Sequence, residues 1–265
     1  MKIWHIALGA FLLAGAARAA EPACSAYSGP HTTALVELYT SEGCDSCPPA
    51  DHWLSSLFSR GFRPDQVVPL SLHVDYWDYI GWKDPFGKAE FSMRQHKLAA
   101  MRRPVIVYTP QVVLQGQDFR RWASDDFTEE VSRINSRAAR ARIALAIRAV
   151  EPAAVRADLS AMLFDPAAQK SSAVYLAAYE NRLASEVKAG ENRGKRLQHD
   201  FVVREWIGPI AFGEGLKLEE SRTLPLLPGA DPKNLGVAAF VQNRSTGEVL
   251  QALMLPACAK ERKAN

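Results

Sequence analysis

The chain has 265 residues, of which 48% are apolar, and 32 basic residues face 29 acidic ones. A net charge of +3 lacks the strongly basic footprint of a nucleic-acid-binding protein. Beyond the first residues, no stretch approaches the roughly 18 to 20 uninterrupted apolar residues of a transmembrane helix. A chain of this length can bury one large core or two modest ones, and we favour two.

The N-terminal segment has the features of a secretory signal peptide. Lys2 precedes an apolar run over residues 6–17, and Ala17, Arg18 and Ala19 form a small-x-small cleavage site. We therefore expect a signal peptide over residues 1–19 and a mature protein that is periplasmic or secreted. Removal of Lys2 and Arg18 lowers the net charge from +3 to +1. An uncleaved N-terminal membrane anchor is the alternative.

The first predicted elements of the mature chain are a buried strand, a cysteine pair and a helix. The apolar run Ala34–Thr40 ends at a glycine-containing turn, after which Cys44 and Cys47 follow. Apolar residues then recur at helical spacing until Gly61, a typical helix end. Residues 66–75 alternate apolar and polar side chains, which predicts a second strand.

The rest of the first half alternates loops with further elements. Aromatic residues interspersed with Gly and Pro over residues 76–86 indicate a compact loop rather than a helix. The elements expected next are a helix over residues 88–101 ended by Arg103-Pro104, a strand over 111–114, a return strand over 119–122 and a helix from Asp125 to about residue 140.

From residue 141 the pattern changes to short β-type runs separated by Gly, Pro and Asn turns. Such a pattern is typical of an antiparallel β domain, and we expect a sandwich. The mature chain is therefore divided into residues 20–140, residues 141–258 and a charged tail over residues 259–265. The β-type runs lie at residues 143–150, 174–179, 200–207, 235–242 and 249–255.

The four cysteines fall into two kinds if the compartment is oxidising. Cys24 lies just past the signal peptide and Cys258 just before the charged tail, so a bond between them would join the ends of the mature chain. The chain-entropy model gives about 5 kcal/mol at most for such a long loop. We expect this structural disulfide, with two free thiols as the alternative.

Cys44 and Cys47 are the predicted reactive pair. A CxxC between a buried strand and a helix suits thiol chemistry, because helix amides and the helix dipole stabilise a thiolate at the first cysteine. Cys44 is therefore the expected attacking thiol and Cys47 the resolving one. Pro48 and Pro49 fit only a first helical turn, which places the helix start near Cys47 and leaves Cys44 standing out on the loop. Asp45 is expected to raise the pKa of the Cys44 thiol, giving a reducing to neutral pair.

Two more positions are candidates for the reaction. Glu37 interrupts the apolar strand ahead of the dithiol, where a carboxylate could shuttle protons during exchange; a solvated glutamate is the alternative. Thr109-Pro110 stands just ahead of an apolar strand, where a cis proline would present its backbone beside the dithiol to a substrate chain. Pro110 and Glu37 are therefore candidate catalytic residues, and Thr109 is expected to line the site.

Short motifs spread over nearly the whole mature chain carry a resemblance to a known family. They lie at residues 37–51 (ELYTSEGCDSCPPAD), 73–79 (HVDYWDY), 81–86 (GWKDPF), 108–111 (YTPQ), 190–192 (GEN), 199–200 (HD) and 202–204 (VVR). The chain resembles the exported bacterial family "domain of unknown function 1223", within the thioredoxin-like superfamily. The resemblance implies an α/β thioredoxin-like domain, with a mixed sheet flanked by helices, followed by an antiparallel β-sandwich-like domain. It implies no reaction, because the family lacks an assigned activity, and Gly43 stands where thioredoxins place a tryptophan.

His73 is the remaining candidate, because it lies on the strand expected beside the dithiol. Exported copper chaperones with thioredoxin-like folds use two cysteines and a remote histidine, usually with three residues between the cysteines. The two-residue gap here favours a histidine hydrogen-bonded by Asp75 or Asp78, and we expect no metal and no other cofactor. His73 and Asp75 are nevertheless expected to line the site. A zinc ribbon would need a second CxxC, which the sequence lacks.

The leading hypothesis is an exported thiol-disulfide oxidoreductase whose partner is a protein thiol or disulfide, with no nucleic acid and no membrane span after signal cleavage. The alternative is a non-catalytic periplasmic binding protein or a copper- or metal-handling thioredoxin-like protein, so enzyme activity stays open. An exposed, reducible dithiol favours the enzyme, whereas a bridge that resists reduction favours the binding protein. His199, Asp200 and Arg204 are candidates to line the junction of the two halves, although the sequence does not place them there.

Overall fold

The computed structural model describes residues 24–101, 105–151, 154–226 and 229–258. The predicted signal peptide, the Arg103-Pro104 helix end and the charged tail lie outside these residues. The helices are α1 (Pro48–Ser56), α2 (Ala89–Ala100) and α3 (Asp126–Asn135). The strands are β1 (Cys24–Tyr27), β2 (Ala34–Thr40), β3 (Val67–His73), β4 (Gln111–Leu114), β5 (Gln117–Asp118), β6 (Ala141–Glu151), β7 (Ala154–Leu163), β8 (Ser172–Glu180), β9 (Leu183–Glu186), β10 (Arg196–His199), β11 (Val202–Ala211), β12 (Lys217–Pro225), β13 (Leu235–Asn243) and β14 (Val249–Pro256).

An eight-stranded mixed sheet contains strands from both halves of the chain. Its strand order is β14-β13-β8-β11-β3-β2-β4-β5. Strands β2 and β3 run parallel, and β4 is antiparallel to β2. The other edge of β3 is completed by β11, with Val202 opposite Ser71 and the Ser71 N–H donating to the Phe201 carbonyl at 2.8 Å. The boundary predicted between residues 140 and 141 therefore does not separate two independent sheets, because the backbone groups of β3 take partners from the second half.

A second, antiparallel sheet packs against the second-half strands of the large sheet. It contains β1, β6, β7 and β12, in the order β1-β6-β7-β12. The alternation along β8 shows the packing: Val174 and Leu176 face this smaller sheet, whereas Tyr175 and Ala177 belong to the core of the first half. Two sheets thus enclose a core in this part of the molecule, and the larger of them continues into the first half.

The three helices pack on the first-half strands of the large sheet. α1 and α3 pack on each other, with the rings of Trp53 and Phe127 edge to face at 4.9 Å between centroids. α2 covers the other face, where its Arg94 forms an ion pair with Glu37 of β2. The start of α1 and the end of β2 therefore meet at one edge of a sheet covered on both faces.

Several elements differ from their predicted extents. The return strand predicted over residues 119–122 is instead the two-residue β5, and α3 ends at Asn135 because the chain soon enters β6. The aromatic segment, residues 76–86, is irregular as predicted, with one 3-10 turn at Asp78–Ile80. Strands β1, β7, β9, β10 and β12 were not predicted. Most side chains of the edge strand β12 are exposed, so no apolar alternation marks it.

A disulfide joins Cys24 of β1 to Cys258, which follows β14, with their Cα atoms 5.9 Å apart. This confirms the predicted structural disulfide. It closes a loop with a sequence separation of 234 residues. Among the described residues, no helix is long and apolar enough to cross a membrane.

Candidate functional site

The dithiol lies between the end of β2 and the first turn of α1. Cys44 sits in the turn that follows β2, and Cys47 is the N-cap residue of α1. Pro48 and Pro49 occupy the first two helical positions, where a missing N–H costs the helix no hydrogen bond. The predicted helix start near Cys47 is confirmed.

Thr109 contacts both thiols. Its carbonyl oxygen lies 3.9 Å from the Cys44 Sγ, and its hydroxyl lies 3.6 Å from the Cys47 Sγ. The same hydroxyl donates to the Tyr39 carbonyl at 2.9 Å, which holds it in place. The Thr109–Pro110 peptide bond is cis and leads directly into β4. Thr109 therefore lines the site, and Pro110 follows it beside the dithiol.

The two thiols differ in acidity. A hydrogen bond from Cys47 lowers the pKa of the Cys44 thiol from its ordinary 9.0 to about 7, although burial acts in the opposite direction. The Ser46 hydroxyl, 3.3 Å from the Cys44 Sγ, contributes to this lowering. Burial raises the pKa of Cys47, and the neighbouring Cys44 and the Asp51 carboxylate add to the rise. The expectation that Asp45 raises the pKa of Cys44 is wrong, because Asp45 is exposed and these closer groups lower it.

Both thiols are covered. Cys44 has 1% of its surface exposed and Cys47 has 0%. The prediction that Cys44 stands out from the surface is therefore wrong. Part of the cover comes from the second half of the chain, where fully buried Asn192 donates its side-chain amide to the carbonyl oxygens of Glu42 and Cys44 at 2.8 Å each.

The two residues before Asn192 complete this cover, which we call the 190–192 loop. The Glu191 carboxylate accepts a hydrogen bond from the Asp45 N–H at 3.0 Å, and the Glu191 N–H donates to the Gly43 carbonyl at 3.2 Å. Gly190 has a φ of +73°, and a Cβ there would lie 3.1 Å from the Ile80 Cδ1. Glycine meets both restrictions, and the loop thereby lies directly on the turn that carries Cys44.

The aromatic segment covers another side of the dithiol. The Tyr76 hydroxyl donates to Gln95 of α2 at 3.0 Å. Burial raises the pKa of Tyr76 to about 12, and the thiols of Cys47 and Cys44 contribute to the rise. The Trp82 indole N–H donates to the Glu42 carboxylate at 2.8 Å. This segment is therefore packed against the site by specific hydrogen bonds.

Glu37 faces away from the dithiol. Its carboxylate accepts hydrogen bonds from Arg94 at 2.5 and 3.0 Å and from the Tyr39 hydroxyl at 3.2 Å. Successive side chains of a strand alternate between faces, so Glu37 meets α2, whereas Thr40, three residues on, lies beside Asp51 of α1. The proton-shuttling role predicted for Glu37 is therefore wrong, and Glu37 belongs to a buried ion pair.

Asp51 is the carboxylate on the dithiol side of the sheet. It is 6% exposed and follows Cys47 by four residues, which places both side chains on one face of α1, one turn apart. Burial raises the pKa of Asp51, and His199 and His73 oppose that rise. The Asp51 Oδ1 has no hydrogen-bond partner among the described residues. A carboxylate of raised pKa beside a buried thiol is suited to accept the thiol proton.

His73 pairs with Asp84, and not with the predicted partners Asp75 or Asp78. The His73 Nδ1 lies 2.7 Å from the Asp84 Oδ2, and both side chains are fully buried. Burial would lower the pKa of His73, but the Asp84 carboxylate outweighs it and raises that pKa, while the pKa of Asp84 is lowered. Asp75 accepts a hydrogen bond from Ser92 of α2 instead, so its predicted place in the site lining is wrong.

His199 joins these groups from the second half of the chain. Its Nε2 lies 3.1 Å from the Glu42 Oε1, and its Nδ1 lies 3.9 Å from the Asp51 Oδ2. Its ring centroid is 4.9 Å from that of His73. Glu42, Asp51, His73, Asp84 and His199 thus form a buried group beside the dithiol, the histidine–carboxylate cluster.

Residues 35–242, which contain the dithiol and the whole cluster, match the profile of a family described as "Protein of unknown function (DUF1223)". The chain belongs to this family. Among curated proteins, none matches this DUF1223 protein.

The fold of this DUF1223 protein is similar to that of two solved structures. A crystal structure of a protein from Agrobacterium tumefaciens is 23% identical, with a TM-score of 0.59 and coverage of 90% of this chain and 100% of that chain. HBP35 of Porphyromonas gingivalis is 14% identical, with a TM-score of 0.65 and coverage of 90% of this chain and 81% of that chain. At these identities the likeness shows the fold alone.

The copper site considered from the sequence requires His73 to join the two cysteines. In this DUF1223 protein His73 is instead hydrogen-bonded to Asp84 and packs edge to face on His199. No group of three or more His, Cys, Asp or Glu side chains in the described part of the chain is arranged to hold a metal ion.

Four residues of the site were not assigned a role from the sequence: Asp51, Glu42, Asp84 and Asn192. His199 was expected only as a candidate to line the junction of the two halves. Asp51 carried a local signal, its spacing of four residues from Cys47 on one helix. Asn192 and His199 belong to the motifs of the family resemblance, yet their spacing from the dithiol along the chain gives no hint of contact. In this DUF1223 protein the pairing of β11 with β3 brings them there.

Proposed function

We propose that this DUF1223 protein is a thiol–disulfide oxidoreductase of thioredoxin-like fold. In the proposed reaction the Cys44 thiolate attacks one sulfur of a substrate disulfide, forms a mixed disulfide and releases the other sulfur as a thiolate. Cys47 then loses its proton, attacks the Cys44 sulfur and releases the second substrate thiolate. The dithiol becomes a disulfide, and the substrate disulfide becomes two thiols.

The observation that carries this proposal is the difference in acidity between the two thiols. With a pKa of about 7, Cys44 is about half ionised at neutral pH, so it can attack without a separate base. Cys47 is held as a thiol by burial and by its neighbours, which suits a group that reacts second. Two equivalent structural cysteines would not need this asymmetry.

The order of elements supports a thioredoxin-like arrangement for the first half. The dithiol stands between β2 and α1, β3 runs parallel to β2, and β4 runs antiparallel after Thr109 and Pro110. The Thr109 carbonyl, 3.9 Å from the Cys44 Sγ, is a backbone acceptor beside the reacting sulfur. A protein segment containing a disulfide or thiol is the substrate that such a backbone contact suits.

An oxidising compartment is part of the proposal. The Cys24–Cys258 disulfide supports it, because disulfides form and persist in the periplasm and outside the cell. The signal peptide predicted over residues 1–19 agrees with that location. In such a compartment a free dithiol also needs a reducing partner, which we expect to be another exchange protein.

The burial of the dithiol favours a second candidate, a non-catalytic protein in which Cys44 and Cys47 form a permanent pair. At 1% and 0% exposure neither sulfur offers an open path to a large substrate. On this alternative, the site would be structural support for the turn, and the second sheet would carry a binding function.

The reduction potential of the Cys44–Cys47 pair separates the two candidates. It is measured by equilibration with glutathione or dithiothreitol, alkylation and mass spectrometry, with Cys24→Ala/Cys258→Ala as the variant that contains only the dithiol. A potential between roughly −120 and −270 mV supports exchange, and a value below about −300 mV supports a structural bridge. A Cys47→Ser variant should in the first case trap the mixed disulfide on Cys44.

A further inference from the structure

The cover over the dithiol leaves the proton of Cys47 with no direct route to solvent. Cys47 is 0% exposed, yet it must lose its proton before it can resolve a mixed disulfide. Thr109 contacts the Cys47 sulfur through its hydroxyl, but a neutral alcohol is too weak a base to take a thiol proton. An acceptor must therefore be found among the buried groups around α1.

Asp51 is the first such group, and His199 is the next one along. The Asp51 carboxylate shares the helix face of Cys47, and its Oδ2 lies 3.9 Å from the His199 Nδ1. A movement of about 1 Å closes that gap to hydrogen-bond distance. Neither the Asp51 Oδ1 nor the His199 Nδ1 has another partner among the described residues. The other nitrogen of His199 is held 3.1 Å from the Glu42 carboxylate.

We propose that His199 is a positioning residue for the resolving step. It acts through Asp51, which takes the Cys47 proton first and passes it on to His199. The proposal rests on the thiol–disulfide exchange proposed above. The Cys47 S–H bond breaks, its proton passes to Asp51 and on to the His199 Nδ1, and Glu42 stabilises the imidazolium. The sulfur electron pair forms the bond to the Cys44 sulfur, and the departing substrate thiolate takes a proton from water.

The groups around Asp51 and His199 suit this path. On β3, His73 has a raised pKa through its pairing with Asp84, and its positive charge favours the ionised form of Asp51. Glu42, in turn, is fixed on its other oxygen by the Trp82 indole at 2.8 Å. The Asp51 carboxylate is thus placed to receive the proton, and the Glu42 carboxylate is placed to stabilise His199 once it carries that proton.

Further charges are separated from this path by an aromatic ring. The Phe86 ring packs on His199 at 5.8 Å between centroids, and the Arg204 guanidinium lies over the same ring at 5.0 Å. Arg204 is in turn 3.5 Å from Glu180. The second half of the chain therefore supplies the proton acceptor His199, and Phe86 of the first half separates it from Arg204, so the site is incomplete in the first 140 residues.

The test separates attack by Cys44 from resolution by Cys47. The reduced full chain with Cys24–Cys258 intact is mixed in a stopped-flow instrument with the aromatic disulfide dithiobis(nitrobenzoate). Attack by Cys44 releases the first coloured thiolate, and resolution by Cys47 releases the second. The variant is His199→Gln, which keeps an N–H for Glu42 but binds no proton. The matched control is His52→Gln, an exposed histidine on α1.

We expect His199→Gln to leave the first phase unchanged and to slow the second about 100-fold, the low end of the range for general acid–base effects. The pH profile of the second phase should move to higher pH, because hydroxide must then remove the proton. His52→Gln should match the wild type in both phases. If His199→Gln does not fold, Glu42→Gln, which loses the charge and can accept from only one of Trp82 and His199, should slow the same phase.

Three results decide against parts of this account. A wild-type protein without a first phase overturns the proposed function itself. Two normal phases in folded His199→Gln, with resolution slowed in Asp51→Asn alone, overturn the role of His199 while the exchange reaction stands. Zinc or copper retained in stoichiometric amount by the wild type and lost in His199→Gln would make the cluster a metal site and overturn the proton path.

Discussion

The side-chain amide of Asn192 donates to the backbone carbonyl of Cys44 at 2.8 Å, across 148 residues of sequence. The same nitrogen donates to the Glu42 carbonyl at 2.8 Å. Asn192 is fully buried, and its amide adds to the Cys47 N–H, which also donates to the Cys44 carbonyl at 3.3 Å. A residue of the second half therefore helps to set the backbone of the turn that holds Cys44.

Replacing Asn192 by Ala should lower stability and alter the reactivity of Cys44. The Glu42 carbonyl loses this donor, whereas the Cys44 carbonyl keeps its hydrogen bond from the Cys47 N–H, so the free energy of unfolding should fall by about 1 to 3 kcal/mol. Urea denaturation measures this change, and iodoacetamide alkylation of Cys44 measures reactivity. Arg193→Ala is the control, because Arg193 is an exposed neighbour. Equal effects of the two substitutions would show that the loop has no specific hold on the turn.

The alkylation rate of Cys44 should follow a titration with a midpoint near pH 7, since the pKa of Cys44 is about 7. Cys47→Ala removes the hydrogen bond that contributes most to this lowering, so the midpoint should move up towards the ordinary value of 9.0. Ser46→Ala should move it up by less. Rates are measured by mass spectrometry of the alkylated peptide over a pH series. An unchanged midpoint in Cys47→Ala would contradict the assigned cause.

Replacing Glu37 by Gln should destabilise the protein without changing the reduction potential of the dithiol. The substitution leaves the buried Arg94 guanidinium without its anion, which costs about 3 to 5 kcal/mol. Asp51→Asn is the comparison, because it should slow resolution by Cys47 with a smaller effect on stability. Denaturant unfolding and the potential are measured on both variants. A large shift of the potential in Glu37→Gln would restore the role first predicted for that residue.

The His73–Asp84 pair should make the free energy of unfolding depend on pH, with one decrease as pH rises and another as pH falls. The folded pKa of His73 is raised, so its contribution is fully present below its ordinary pKa of 6.5 and is lost as pH rises through the folded value. The folded pKa of Asp84 is lowered, so its contribution is present above its ordinary pKa of 3.8 and is lost as pH falls through the folded value. Urea unfolding is measured at a series of pH values. The decrease in stability with rising pH should be smaller in His73→Gln and unchanged in His96→Gln, which alters an exposed histidine.

Local features of the site were predictable from the sequence, because neighbours along the chain determine them. The helix start near Cys47 follows from Pro48 and Pro49. The Cys24–Cys258 bond is not local, but the oxidising compartment predicted from the N-terminal segment indicated it. The prediction that Glu37 serves the dithiol was wrong, because side chains alternate between the two faces of β2 and Glu37 lies on the face away from the dithiol. A side chain an odd number of residues from Thr40 faces the opposite side of the sheet, and only the packing of the helices shows which side carries the dithiol.

Features that depend on distant pairings were not predictable. The sequence of β3 does not show that its second edge belongs to β11, and this pairing removes the predicted division into two sheets. The same pairing brings Asn192 and His199 to the dithiol. Asp75 and Asp78 were preferred to Asp84 as partners of His73 because they are nearer along the chain, yet the fold of the aromatic segment returns Asp84 to it.

The Cys24–Cys258 bond joins the first described strand to the residue that follows the last one. A bond between such positions can close only after all of the polypeptide between them has been synthesised and delivered to the same place. Its oxidation therefore requires a chain that extends at least through Cys258. A chain truncated before the final strand would keep a free thiol at Cys24.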